Sequence, residues 1–200
     1  FLDVRCRRVN DRLLIYHGVI DQHLTFREVC DVCRDFLEEH PKECIVMSVK
    51  EESTAVNSSS SFAEAFAETT AKDGDVWYVE RQIPRLKSVR GRIILIDRVG
   101  SIGGIHWGDL VRQDQYRASL DVKARAVQEH FRQAVSGKDE QWFINFCSGV
   151  QAGRLVTPRQ YAAQSNQATL EFLKKHTTAS PRRLGMVVLD FPGEELIEVI

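Results

Sequence analysis

The chain has 200 residues, 43% of them hydrophobic and 28% charged, a balance that fits one compact domain and argues against intrinsic disorder. Lys and Arg number 27 against 28 Asp and Glu, so no basic excess draws the protein onto nucleic acid, and any anion it binds must meet a local site. The longest uncharged apolar runs, Ile93 to Ile96 and Met186 to Leu189, are far shorter than the roughly 20 residues that cross a bilayer.

Residues 1–6 alternate as a strand does, and residues 12–17 follow as a second strand after a turn at Asn10-Asp11. A link of about five residues predicts an antiparallel hairpin, because a parallel crossover needs a dozen or more. Thr25 and Glu28 stand in capping-box spacing at the head of a helix over 25–39, which His40-Pro41 ends. Within it Cys30 and Cys33 fall at helical intervals with Phe26, Val29, Phe36 and Leu37. No second Cys or His pair has matching spacing among the five cysteines, so these two read as core residues rather than a zinc or redox pair. Residues 43–50 form a buried-strand pattern. The serines of 58–61 then lead into a helix from Phe62 to about Thr70, with Ser61 and Glu64 as a second capping box. A short strand over 76–79 and a stronger one over 92–98, entered from a turn at 89–91, precede a glycine-rich loop at 100–108. Beyond it the pattern predicts a helix over 120–135, a strand over 141–147, a helix over 157–176 with Pro158 in its first turn, and a last strand over 184–191.

Strands followed by helices, with no composition break and no internal repeat, indicate a single α/β domain over residues 1–200. Six or seven strands are countable, and a closed (β/α)8 barrel typically takes ~250 residues, so the chain fits a barrel lacking its opening strand. An open doubly wound sheet is the alternative, yet neither a GxGxxG turn nor a GxxxxGK[ST] loop is present. In a barrel, chemistry collects where strands end. Here those ends carry Asp3, Arg5, His17, Lys50, Arg98, Asn145 and Asp190, groups that a buried apolar strand penalises unless they are paired or face water. Any one alone reads as an ordinary ion pair; together they indicate a site. Arg5, Lys50 and Arg98 suit an anionic phosphoryl substrate, and His17 can exchange a proton near neutral pH.

The segments Phe1-Leu-Asp-Val-Arg-Cys-Arg7, Tyr16-His-Gly18, Thr25-Phe26, His40-Pro41 with Ile45-Val-Met-Ser-Val-Lys50, Val89-Arg-Gly-Arg-Ile-Ile-Leu-Ile96, Gln113-Asp-Gln-Tyr116, Phe143-Ile-Asn-Phe146 and Val187-Val-Leu-Asp-Phe191 are similar, in order, to bacterial-type phosphatidylinositol-specific phospholipase C, the X-domain phosphodiesterases. That resemblance implies a distorted TIM (β/α)8 barrel and a two-step cleavage. The inositol 2-hydroxyl attacks phosphorus and releases diacylglycerol, and water then slowly opens the cyclic phosphate. By the same resemblance His17 is the general acid for the leaving glycerol oxygen, Arg5 stabilises the phosphorane with Asp3 beside it, and Asp190 orients the general-base histidine. Lys50, Arg98, Asp114 and Tyr116 grip the inositol ring, the tyrosine by stacking. Calcium-dependent relatives carry an acidic residue where Arg5 stands, so no metal cofactor is expected.

The resemblance places the general-base histidine on a strand ahead of Asp3, upstream of Phe1, so residues 1–200 by themselves are expected to turn over poorly. His23, His40, His130 and His176 read as structural or surface residues, and His106 is the one other histidine near the mouth. Ile102, Ile105, Trp107, Leu155 and Val156 lie in loops that either pack or touch a lipid surface transiently. A monomer acting on the phosphatidylinositol headgroup is expected, with secretion favoured by the resemblance. Two other readings stand beside this one. The first is a glycerophosphodiester phosphodiesterase, in which Asp usually follows the histidine that Gly18 follows here. The second is an inactive X-domain protein that only binds inositol phosphates or lipid headgroups.

Overall fold

A tight hairpin starts the chain, as its turn residues dictate. In the computed structural model, which describes residues 1–150, 156–176 and 183–200, β1 (Leu2–Val9) and β2 (Arg12–His17) pair antiparallel with Val9 opposite Arg12. Only Asn10 and Asp11 form the turn. Both take positive φ, 52° and 61°, the left-handed pair that matches the twist of a two-residue hairpin and that Asn and Asp tolerate best. A second hairpin follows directly, with β3 (Ile20–Thr25) antiparallel to β2 and His17 opposite Ile20. Its first turn residue, Gly18, has φ +62°, a conformation that strains any residue with a side chain. Sequence periodicity does not reveal β3, because it is an edge strand whose residues are mostly exposed and polar.

The chain divides into two compact units, Phe1–Asp109 and Leu110–Ile200. In the first, β4 (Ile45–Glu51), β5 (Trp77–Tyr78), β6 (Ile93–Asp97) and β7 (Ile105–His106) join the hairpins in one seven-stranded sheet. Its order is β3-β2-β1-β4-β6-β5, with β7 also on β6. From β1 onward the pairing is parallel. The helices α1 (Phe26–Glu39) and α2 (Phe62–Thr70) begin at the two predicted capping boxes. At α1 the Glu28 amide donates to the Thr25 hydroxyl oxygen at 3.2 Å and the Thr25 amide donates to the Glu28 carboxylate at 2.7 Å, satisfying two amides that the helix leaves unpaired.

One face of this sheet is sealed. Val4, Cys6, Met47, Val49, Ile93 and Leu95 pack with Phe26, Cys30, Cys33 and Leu37 of α1 and Phe62, Ala65 and Phe66 of α2. Cys30 and Cys33 are buried free thiols within that core, as expected. Phe26, Phe66 and Trp77 fill its centre with ring centroids 5.4–6.3 Å apart, each contributing about 1.5–3 kcal/mol by leaving water. Because side chains alternate along a strand, the residues between these point to the opposite face.

The second unit holds a three-stranded parallel sheet in the order β10-β9-β8, built from β8 (Val111–Gln113), β9 (Phe143–Phe146) and β10 (Met186–Val188). Its helices are α3 (Leu120–Ser136), α4 (Pro158–His176) and α5 (Glu194–Val199). Phe131 of α3 stacks on Phe172 of α4 with ring centroids 6.0 Å apart, among Val127, Leu170, Leu173, Leu184 and Leu196. The strands β7 and β8 and the short α5 are absent from the periodicity reading, so ten strands are present among the described residues where six or seven are countable. No helix among the described residues is long and apolar enough to cross a membrane.

Candidate active site

On the face of the first sheet opposite its core, the β1–β4 register sets Asp3 beside Ser48 and Arg5 beside Lys50. The side chains then join. Asp3 Oδ2 accepts from Arg5 Nη2 at 3.0 Å and Nε at 3.2 Å, while Oδ1 accepts from the Ser48 hydroxyl at 2.8 Å and Arg98 Nη1 at 2.6 Å. Arg98 reaches this point because it follows β6, where its amide donates to the Val49 carbonyl at 3.1 Å. Its guanidinium also lies over the Trp107 ring, 4.2 Å from the centroid.

Glu52, one residue past β4, closes the cluster, and the sequence reading does not include it. Its carboxylate is only 7% exposed. Oε1 accepts from Arg5 Nη1 at 3.3 Å and from the Gly18 amide at 3.0 Å, and Oε2 accepts from Lys50 Nζ at 2.8 Å. Burial alone would push Glu52 up. The hydrogen bonds from Lys50 and the Gly18 amide, with the charges of Arg5 and Lys50, overcome it and bring the carboxyl down to about 2. Burial likewise opposes the Arg5 charge, but Asp3 and Glu52 outweigh it and leave the guanidinium more firmly protonated than usual. The signal for Glu52 is present in the chain: Ser48, Lys50 and Glu52 alternate onto one face of a strand and its extension.

His17 ends β2 and is exposed, and the residue after it is the one whose amide Glu52 holds. The general-acid candidate is thus tied through the backbone to the carboxylate that binds Arg5 and Lys50. Three cations against two carboxylates leave this cluster one positive charge, before any proton on His17. A guanidinium with three of its five N–H groups already fixed by carboxylates is a preorganised charge with donors left for an anion.

The second unit carries the other candidates. Asp114 and Tyr116 follow β8 and are exposed, the Tyr116 carbonyl accepting from the Val150 amide at 2.8 Å. Asp190 lies just beyond β10 and is half-buried, with its carbonyl accepting from Asn166 Nδ2 at 2.9 Å. Asn145, counted at sequence level among the strand-end groups, has a different place. It is fully buried, takes a bond from Gln113 Nε2 at 2.9 Å and donates to the Val127 carbonyl at 3.0 Å, so its amide ties β8, β9 and α3 together.

Several loop expectations also change. Ile105 is 1% exposed on β7 and Ile102 packs against the first unit's core, so neither forms an apolar rim; Leu155 lies outside the described residues. His106 is exposed, and its Nδ1 accepts from the Gly108 amide at 3.1 Å. His130 is buried against Phe143, and burial holds its imidazole below the usual range. Both His130 and His40, which caps α1, have the structural places expected of them.

Comparison with known proteins points to one family. Residues 1–99 match the family model for the phosphatidylinositol-specific phospholipase C X domain. Among curated relatives, the 1-phosphatidylinositol phosphodiesterase of Listeria monocytogenes is 31% identical over 218 residues, covering all of this chain and 66% of the relative. The protein of the same name from Staphylococcus aureus is 26% identical over 226 residues, covering 96% of this chain and 71% of the relative. The chain thus spans about two thirds of the length of these relatives. Among solved structures, the Listeria phospholipase C aligns over 98% of this chain and 76% of its own, with TM-score 0.83 and 29% identity. A double mutant of the Staphylococcus enzyme aligns over 98% and 78%, with TM-score 0.85 and 23% identity. The likeness bears out the α/β, distorted TIM-barrel fold class. The Listeria relative matches over the full chain, and the strand-end cations Arg5, Lys50 and Arg98 meet in one network. The chain belongs to the phosphatidylinositol-specific phospholipase C X-domain family.

Proposed function

We propose that the chain serves phosphoric diester cleavage of phosphatidylinositol, releasing diacylglycerol and an inositol cyclic phosphate without a metal ion. The observation that carries this reading is the network in which Asp3 and Glu52 hold Arg5 from two sides, with Lys50 and Arg98 as flanking cations and the residue after His17 fixed to Glu52.

In the reaction the inositol 2-hydroxyl oxygen forms a bond to phosphorus, its proton passing to the base, and the bond from phosphorus to the glycerol oxygen breaks. The departing oxygen takes its proton from His17, which is open to solvent and can recover it there. Arg5 faces the charge that gathers on the phosphoryl oxygens. Its guanidinium is already oriented, so little reorganisation accompanies the step. Asp3 orients Arg5 and Arg98, which with Lys50 face the ring; the family resemblance assigns Asp114 and Tyr116 to ring binding and Asp190 to orienting the base. Metal independence follows from Arg5: a divalent cation approaching Asp3 or Glu52 meets a guanidinium paired to both carboxylates.

The test is product analysis on phosphatidylinositol vesicles, for residues 1–200 and for a form extended upstream, with excess chelator and then with calcium. The account expects inositol cyclic phosphate and diacylglycerol at the same rate in both conditions, and little turnover of deacylated glycerophosphoinositol. Activity seen only with calcium, or a preference for the deacylated diester, would contradict it.

A further inference from the structure

Lys123 stands out among the groups the reaction does not use. It is the fourth residue of α3, and its relative exposure is 0%. Two effects oppose a charge there. Burial strips its hydration, and the first turn of a helix presents the positive end of the backbone dipole to it. Among the described residues, the oxygens within hydrogen-bond reach of the ammonium are neutral, the Gln113 side chain at 3.5 Å and the Gln115 carbonyl at 3.4 Å. The opposite charges that attract it include Asp114 and Asp190, and they act against the desolvation that pulls its proton affinity down.

Those partners belong to one segment. Gln113 ends β8, and its side chain is locked by donating to Asn145 Oδ1 at 2.9 Å and the Phe146 carbonyl at 3.0 Å, while its own oxygen accepts from the Gln115 amide at 2.8 Å. Lys123 completes this frame from the helix side, reaching residues 113 and 115 on either side of Asp114. A methionine in its place would pack as well and avoid both penalties, so packing does not explain a lysine.

We infer that Lys123 is a positioning residue of the second unit, its buried ammonium fixing segment 113–116 and attracting the carboxylates of Asp114 and Asp190, so that Asp114 and Tyr116 are presented to a polyol ring. This deepens the proposed function and rests on its assignment of Asp114 to ring binding.

The test is calorimetric titration of residues 1–200 with inositol 1-phosphate, for the parent, Lys123→Met, Asp114→Asn and the double variant, with Lys123→Gln as a second replacement and thermal melting of each. Lys123→Met is expected to weaken binding on the order of tenfold, as loss of a charged hydrogen-bonding group does. The double variant should bind no worse than about threefold below the weaker single variant, because both changes act on one coupled segment. Parent-like affinity in a folded Lys123→Met, or multiplying effects in the double variant, overturns the inference. So does failure of both replacements to fold, since Lys123 would then be holding the unit rather than the segment. If Asp114→Asn itself leaves binding unchanged, the ring-binding assignment falls instead; if it weakens binding while Lys123→Met does not, only Lys123 falls.

Discussion

Replacing Glu52 by Gln removes the charge at the centre of the cluster while keeping its shape and one acceptor. Three donors converge on that carboxylate, from Arg5, Lys50 and the Gly18 amide. Its fall from an ordinary 4.5 to about 2 corresponds to about 3 kcal/mol favouring the folded, ionised form. A carboxyl depressed on folding contributes stability that is full above about pH 4.5 and disappears as the pH falls toward about 2. Glu52→Gln should therefore be about 3 kcal/mol less stable than the parent at neutral pH, and the two should converge across that acid range. Urea unfolding followed by the fluorescence of Trp77, Trp107 and Trp142, repeated at several pH values, reads this directly. Equal stability at neutral pH, or a deficit that persists unchanged into acid, would refute the assignment of Glu52 as a charge-locked hub. The substitution should also lower affinity for inositol 1-phosphate, since Arg5 and the backbone next to His17 lose their common anchor.

Trp107→Ala removes the ring beneath Arg98, a contact of about 0.5–2 kcal/mol; several-fold weaker inositol 1-phosphate binding with unchanged vesicle binding is expected. Lost vesicle binding with intact affinity would instead place Trp107 on a lipid-facing rim. Burial pushes the Cys30 thiol to about 12 and Cys147 to about 11, and raises Cys6 further, while Cys44 is half-buried. Iodoacetamide at neutral pH should accordingly modify Cys44 first, by mass mapping, and rapid labelling of Cys30 or Cys33 in the native protein would contradict their core placement.

The legible parts of the fold are those whose residues carry a local rule. Asn10-Asp11 names a turn that only a few residue types accept, and Thr25 with Glu28 and Ser61 with Glu64 mark helix starts by a reciprocal hydrogen bond. What escaped depends on tertiary context. The edge strand β3 exposes most of its side chains and shows no alternation, while β7 and β8 are two and three residues long, too short for periodicity to register.

The site divides in the same way. Asp3, Arg5, Lys50 and Arg98 could be read because strand ends seldom carry charge without a use. Glu52 looks like one of two consecutive surface acids until the pleat turns it onto the face of Lys50, and Lys123 looks like a solvated helix residue until its burial is seen. Asn145 erred the other way: a polar residue closing a strand can be a crosslink in the core as readily as a ligand at the mouth.

The central claim is that Arg5, Lys50, Arg98 and His17 form one receptor for a phosphorylated polyol. Two-dimensional NMR of the histidine rings during titration with inositol 1-phosphate tests it most directly. The account predicts that the His17 resonances move and saturate with the ligand while those of His23, His40 and His176 stay in place, and that Arg5→Met abolishes the movement. A titration that leaves His17 still, or moves it equally in Arg5→Met, would contradict the account.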